Sequence, residues 1–220
     1  MIGILCGLKS EAKLADRIPS VLVGCSAADP ARARVLVQQM LDEDVTRLIS
    51  FGLCGGLSPD LVPGDLVLGS TVMGAAGAWE SDEGWNQRFV ELLPGTLSVP
   101  VWGSDHMATK ASDKALIMKR TGCLAVDMES HLIGLAAERY AIPFTVVRAV
   151  SDGYETSLPP AARVPLLNDG GVDYRGVWQS VKKNPRQIPD LIRLGRGTSQ
   201  AMASLRRAVD VMRELCLPVD

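Results

Sequence analysis

Phe144-Thr145-Val146-Val147-Arg148-Ala149-Val150, running on into Ser151-Asp152-Gly153, carries more structural information than any other stretch of the chain. Its first seven residues are apolar or β-branched, with one exception. A strand without polar alternation is covered on both faces, as strands are when a parallel sheet lies between layers of helices. The exception, Arg148, has to be satisfied inside that strand. A guanidinium so placed is costly to bury without an anionic partner, and Glu11 and Glu129 are the candidates. Asp152 ends the strand, where a carboxylate serves either as a helix N-cap or as a general acid.

Working outward, short apolar runs at 2–6, 21–25, 47–51, 65–72, 96–101 and 123–126 also predict strands. The run at 47–51 stops at Gly52, and the one at 65–72 follows a Pro63-Gly64 turn. Residues 30–41 predict a helix with proline in its first turn, and a second helix is expected from about 129 to 140. Met202, Leu205, Val209, Met212 and Cys216 recur at spacings of three and four, which places one apolar stripe on a helix over 199–216. Residues 154–176, rich in Pro, Gly and Asp, read as a loop with little regular structure. No internal repeat or low-complexity tract interrupts the pattern.

Strands alternating with helices imply a mainly parallel sheet wrapped by helices. In such sheets the site forms at the carboxyl ends of the strands. Four groups fall there: Glu11; Gly52-Leu53-Cys54-Gly55-Gly56; Asp127-Met128-Glu129; and Ser151-Asp152. The glycines read either as a tight turn or as backbone exposed to a ligand. They fit neither GxGxxG opening a helix nor a P-loop, so a dinucleotide or ATP site is not expected. Asp127 reads as favourable charge at a helix N-terminus, whereas Glu129 can accept hydrogen bonds from both hydroxyls of a diol.

Composition narrows the class further. The 220 residues are 47% hydrophobic with a net charge of −2, which fits one soluble globular domain and not a disordered chain or a nucleic-acid binder. Of five cysteines, Cys6, Cys25 and Cys123 read as buried thiols of a reducing compartment, and no pair has zinc spacing. With only His106 and His131, a histidine metal site or a Ser-His-Asp triad has little to draw on; no metal or cofactor is expected. His131 reads as packing or solvated, and His106 lies in a loop that can line a pocket. The N-terminus lacks a basic n-region and no apolar run of about 20 residues exists, so a cytoplasmic location is expected. Charge is uneven: residues 175–220 hold nine Lys/Arg against four Asp/Glu.

In order and spacing, these segments resemble the nucleoside phosphorylase/nucleosidase superfamily, and within it the methylthioadenosine/S-adenosylhomocysteine nucleosidase pattern. The matching blocks are Ile2-Gly3-Ile4 leading to Glu11; Gly52-x-x-Gly55-Gly56; Val62-x-Gly64-Asp65-x-Val67; Val126-x-Met128-Glu129; and Arg148-Ala149-Val150-Ser151-Asp152. The resemblance implies a three-layer α/β/α domain around a mixed, mainly parallel twisted sheet. It implies an N-glycosidase in which Glu11 activates water, Arg148 helps hold that water and the acid, and Asp152, oriented by Ser151, protonates the departing purine at N7. It further places Met128 and Glu129 at the ribose, the segment around Asp105–Ala108, with Met107 and Ala108, at the base, and Asp127, Gly55 and Gly56 among the substrate-binding residues. Two departures stand out: Leu53 replaces a serine, and Ser50 stands where phosphorylases carry a phosphate-binding arginine. The second favours water over phosphate, although Arg32 or Arg34 can still reach an anion.

The tail, from Leu158 through Arg163-Val164-Pro165, Asp169-Gly170, Pro185, Pro189 and Arg206-Arg207, is similar to the hopanoid-associated phosphorylase group. That likeness implies a triterpenoid-linked substrate, adenosylhopane, with Leu53, Met73, Trp79 and Trp102 lining an apolar channel or belonging to the core. It also suits peripheral membrane contact through the basic residues Lys182, Lys183, Arg186, Arg193 and Arg196, which read equally as a solvated helix face. Relatives of this kind imply a homo-oligomer. A phosphorylase, a nucleosidase for methylthioadenosine or futalosine, and a non-catalytic nucleoside-binding module are the competing readings; intact Glu11, Glu129 and Asp152 weigh against the last.

Overall fold

The uniformly apolar stretch becomes strand β8 (Phe144–Asp152), in which only Ser151 escapes full burial. The computed structural model describes residues 1–216. In chain order it places β1 (Ile2–Cys6), α1 (Lys9–Ala15), β2 (Val21–Cys25), α2 (Pro30–Asp42), β3 (Arg47–Gly56), β4 (Leu66–Gly74) and β5 (Gly77–Glu80). Then come α3 (Glu83–Leu92), β6 (Leu97–Gly103), α4 (Ala111–Thr121), β7 (Ala125–Asp127), α5 (Ser130–Tyr140), β8, α6 (Tyr174–Lys183) and α7 (Ile188–Leu215). This is the expected three-layer arrangement. One face of the sheet packs Leu5, Met40, Leu48, Ile133 and Val146 under α2 and α5. The other packs Ile4, Phe51, Leu68, Phe89, Leu205 and Met212 under α1, α3 and α7.

The sheet is mixed, with parallel pairings outnumbering antiparallel ones. β8 runs parallel to β3 on one side and antiparallel to β4 on the other. β4 pairs with β6, and β6 with the short β7. At Gly55 the register between β3 and β8 slips, and Gly55 and Gly56 pair with Val126 and Ala125 of β7. The strands β3, β8, β4, β6 and β7 therefore close into a ring at one end of the sheet. Asp127 and Asp152 end the two strands that flank β3 there.

Several elements differ from the sequence pattern. The glycines at 52–56 are not a loop: β3 continues through them. The short helix α1, the hairpin strand β5, and α3 and α4 had no clear periodic signal; α3 is started by Asp82, whose side chain accepts the Trp85 N–H, and α4 fully buries one residue, a lysine. The expected loop at 154–176 contains a 3₁₀ turn (Pro160–Arg163), and α6 begins at its end. α7 begins eleven residues before the stripe read from sequence. The last four positions of the basic segment, 217–220, lie outside the described residues. Cys6 and Cys123 are buried as expected, but Cys25 is only half-buried. Among the described residues no helix is long and apolar enough to cross a membrane.

Candidate active site

Arg148 is 1% exposed, and three elements converge on it. Its Nε lies 3.1 Å from Asp127 Oδ2 and its Nη2 lies 3.2 Å from Glu129 Oε2. The same Nη2 donates to Ser50 Oγ at 2.5 Å, and Nη1 to the Leu53 carbonyl at 3.3 Å. Of the two partners expected from sequence, Glu129 is the direct one, and Asp127 joins it. Asp127 serves the helix as well: its Oδ1 accepts the N–H groups of Glu129 and Ser130 at the start of α5. Burial pushes the Glu129 carboxyl above its ordinary range, against the pull of Arg148. Ser26, which nothing in the sequence had singled out, donates to Glu129 Oε1 at 3.2 Å.

Glu11 sits in the first turn of α1 and points back over its own N-terminus. It accepts three backbone N–H groups, from Gly7 at 3.0 Å, Leu8 at 2.8 Å and Leu53 at 2.8 Å. The third crosses to β3 and explains the glycine beside it. A Cβ on Gly52, whose φ is +155°, would fall 2.6 Å from the Glu11 carboxyl carbon. Gly7 has the same task toward Glu129, whose Oε1 would lie 2.8 Å from an added Cβ. Both glycines admit carboxylates; at Gly52 the sequence suggested a tight turn or a ligand, and Gly7 carried no such signal. Burial raises the Glu11 carboxyl to about 7; Arg148 opposes the shift and the Glu129 charge adds to it.

Asp152 is organised differently. Ser151 Oγ lies 2.7 Å from its Oδ1, as the resemblance implied. Its Oδ2 is in an ion pair with Lys114 Nζ, which also donates to the Gly153 carbonyl at 2.8 Å. Lys114 is fully buried. A lysine in a mostly polar helix reads as solvated, so no sequence signal marked it. Asp152 is thus half of a buried pair and not an isolated acid.

The two clusters meet around a surface depression lined by Gly55, His106, Met107, Ala108, Val126, Asp127, Met128, Asp152 and Leu158. Glu11, Glu129 and Arg148 lie in the buried layer beside it, and Gly56 packs against Val150 and the Asp152 carbonyl. Trp79 is buried in the core, whereas Leu53, Met73 and Trp102 are partly buried at the edges of hydrophobic clusters; none of the four lines the depression. His131 packs against Gly103, with Nε2 3.0 Å from Asp105. Beyond Leu158 the chain crosses to the Glu11 side, where the Lys9 N–H donates to the Gly170 carbonyl at 3.0 Å and Lys9 Nζ pairs with Asp169 at 2.5 Å. Gly170, at φ +78°, lies so close to Cys25 Sγ that no Cβ fits. Among the described residues, no group of three or more His, Cys, Asp or Glu is placed to hold a metal ion.

The family model described as "Phosphorylase superfamily" matches residues 13–98 and 76–164. The chain belongs to this superfamily. A 5′-methylthioadenosine/S-adenosylhomocysteine nucleosidase of Oceanobacillus iheyensis is 25% identical to it over 166 residues, 63% of this chain and 70% of that protein. The S-adenosylhomocysteine nucleosidase structure of Streptococcus pyogenes, in complex with 5-methylthiotubericidin, superposes with a TM-score of 0.72 at 16% identity, covering 99% and 97% of the two chains. The futalosine hydrolase of Helicobacter pylori does so at 0.67 and 15%, covering 95% and 97%. The superfamily match ends at residue 164, so α6 and α7 lie beyond it.

Proposed function

We propose that this phosphorylase-superfamily chain hydrolyses the N-glycosidic bond of a purine nucleoside. The observation that carries the reading is the pairing of a buried carboxylate poised near neutrality, Glu11, with a second carboxylate, Asp152, lining a depression that also presents Asp127 and Met128. In this reading the C1′–N9 bond breaks with its electron pair moving to the base, and N7 takes a proton from the Lys114–Asp152 pair. Water adds to C1′ and gives its proton to Glu11, while Glu129 holds the ribose hydroxyls. General acid–base help of this kind contributes about 10²–10⁴-fold; positioning and electrostatics supply the rest.

Water is favoured over phosphate by the state of the nearby cations. Ser50, in the place of the phosphorylase arginine, is buried and bonded to Arg148 and Ser130. Arg34 pairs with Asp105 at 3.2 Å, and Arg32 donates to the Asn168 carbonyl. Within this reading the substrate is adenosylhopane, on the strength of the tail's resemblance, and the product is ribosylhopane. The test is adenine release from adenosylhopane in detergent and from methylthioadenosine, each with and without phosphate. Release from the hopanoid without phosphate is expected. Strict phosphate dependence would remove water as nucleophile, and preference for methylthioadenosine would remove the hopanoid.

The Glu11 value sets a pH dependence. The base must be ionised, so kcat/KM rises with pH through a midpoint of about 7; Glu11→Gln should be slow at every pH, without that limb. Stability runs the other way. Because the folded value is raised, Glu11 favours the fold below its ordinary range of about 4.5 and loses that contribution as pH rises through about 7. Glu11→Gln should therefore gain in thermal midpoint on the parent between pH 5 and pH 8, from an offset set by the backbone N–H that its amide nitrogen cannot accept.

A further inference from the structure

The segment after Asp152 spans from the depression, at Leu158, to the Glu11 side, at Gly170, and delivers the chain directly into α6. No residue of α6 is fully buried. Tyr174 is 78% exposed and Trp178, one turn later on the same face, 59%. Leu167 and Val172, just upstream, are exposed too. Bare aromatic area of this size on a ten-residue helix is unusual unless something covers it.

The helix itself carries only cations; the flanking carboxylates are Asp173, engaged as its cap by the Gly176 N–H, and Asp190, paired with Arg193. Arg175, Lys182, Lys183 and Arg186 are exposed, and from Tyr174 to Pro189 there is no Asp or Glu, in a protein whose net charge is −2. Lys182 Nζ sits 5.2 Å from the Trp178 ring centroid, so cation and aromatic share one surface. Protein–protein interfaces are depleted in lysine at their centres. Tyr and Trp interleaved with Lys and Arg are what the headgroup region of a bilayer selects. We infer that α6 docks on an anionic lipid surface, its Tyr174–Trp178 face seated among the headgroups and its four cations against their phosphates. This stands apart from the substrate reading, since lipid alone is the ligand.

The test is co-sedimentation of the full chain with vesicles of phosphatidylcholine, with and without phosphatidylglycerol, at low and high salt. Variants are Tyr174→Ser/Trp178→Ser and Lys182→Gln/Lys183→Gln, with thermal midpoints as the check on folding. Partition is expected only onto the anionic vesicles. It should fall with salt, by about fivefold for each cation removed and about tenfold in the aromatic pair. No partition onto either vesicle, or partition indifferent to both variants at unchanged thermal midpoints, overturns the inference. So does a parent chain that self-associates in the absence of lipid while Tyr174→Ser/Trp178→Ser does not, because the face would then join two copies. Adenine release measured on soluble methylthioadenosine reports on the catalytic reading separately.

Discussion

Asp152→Asn is expected to lower kcat by about 10²–10⁴-fold with little change in KM, and to lower the thermal midpoint, because the buried Lys114 loses its counter-charge. The amide keeps the volume of the carboxyl and can turn its carbonyl oxygen to Lys114, so the buried lysine retains an acceptor but not an anion. What disappears is the group that passes a proton to the base. In the reading above that proton is needed only as the C1′–N9 bond breaks, which is why binding should survive. Steady-state kinetics on a soluble purine nucleoside decide the matter. An unchanged kcat would take Asp152 out of the reaction and leave the Lys114–Asp152 pair as a structural tie between α4 and the end of β8.

Arg148→Met is expected to cost about 3–5 kcal/mol of stability, a large share of the roughly 5–15 kcal/mol that holds a domain folded. Methionine fills much of the space, but Asp127 and Glu129 lose the one guanidinium that faces both. Glu11 loses a charge that opposes its protonation. The loss depends on pH. Glu11 and Glu129, left without the cation, take up a proton more readily, so the deficit is largest at pH 8 and shrinks toward pH 5. Urea midpoints at both pH values measure it. A deficit no larger than that of a surface substitution would mean that the carboxylates are held by their backbone and hydroxyl donors alone.

How much of this was legible in sequence differs by element. β8 declared itself because a strand buried on both faces has no polar alternation to confuse with a helix. The same stretch marked Arg148 as needing a carboxylate, and Glu129 is one of the carboxylates it meets. α4 and Lys114 were silent: a cation on a polar helix looks solvated until the fold places Asp152 over it. Gly52 was noticed for the wrong reason, since the demand on it comes from the side chain of Glu11, forty-one positions earlier. Of the residues read as either apolar channel or core, Trp79 is core and Met73 and Trp102 are partly exposed; large apolar residues on half-buried strands carry no mark of which face is wet.

The closed ring of strands has a consequence for how such proteins diverge. Asp127 and Asp152 end strands that are both hydrogen-bonded to β3, so their separation is gauged by one shared strand and not by the helix and turns between them in the chain. Insertions in the turn between α5 and β8 leave that separation untouched. The segment that departs from Asp152, by contrast, leaves the ring altogether and is tethered to the Glu11 side through Lys9, Asp169 and Gly170. Its length and apolarity are free to drift. Residues 159–187 can change length or composition without moving either carboxylate against the other.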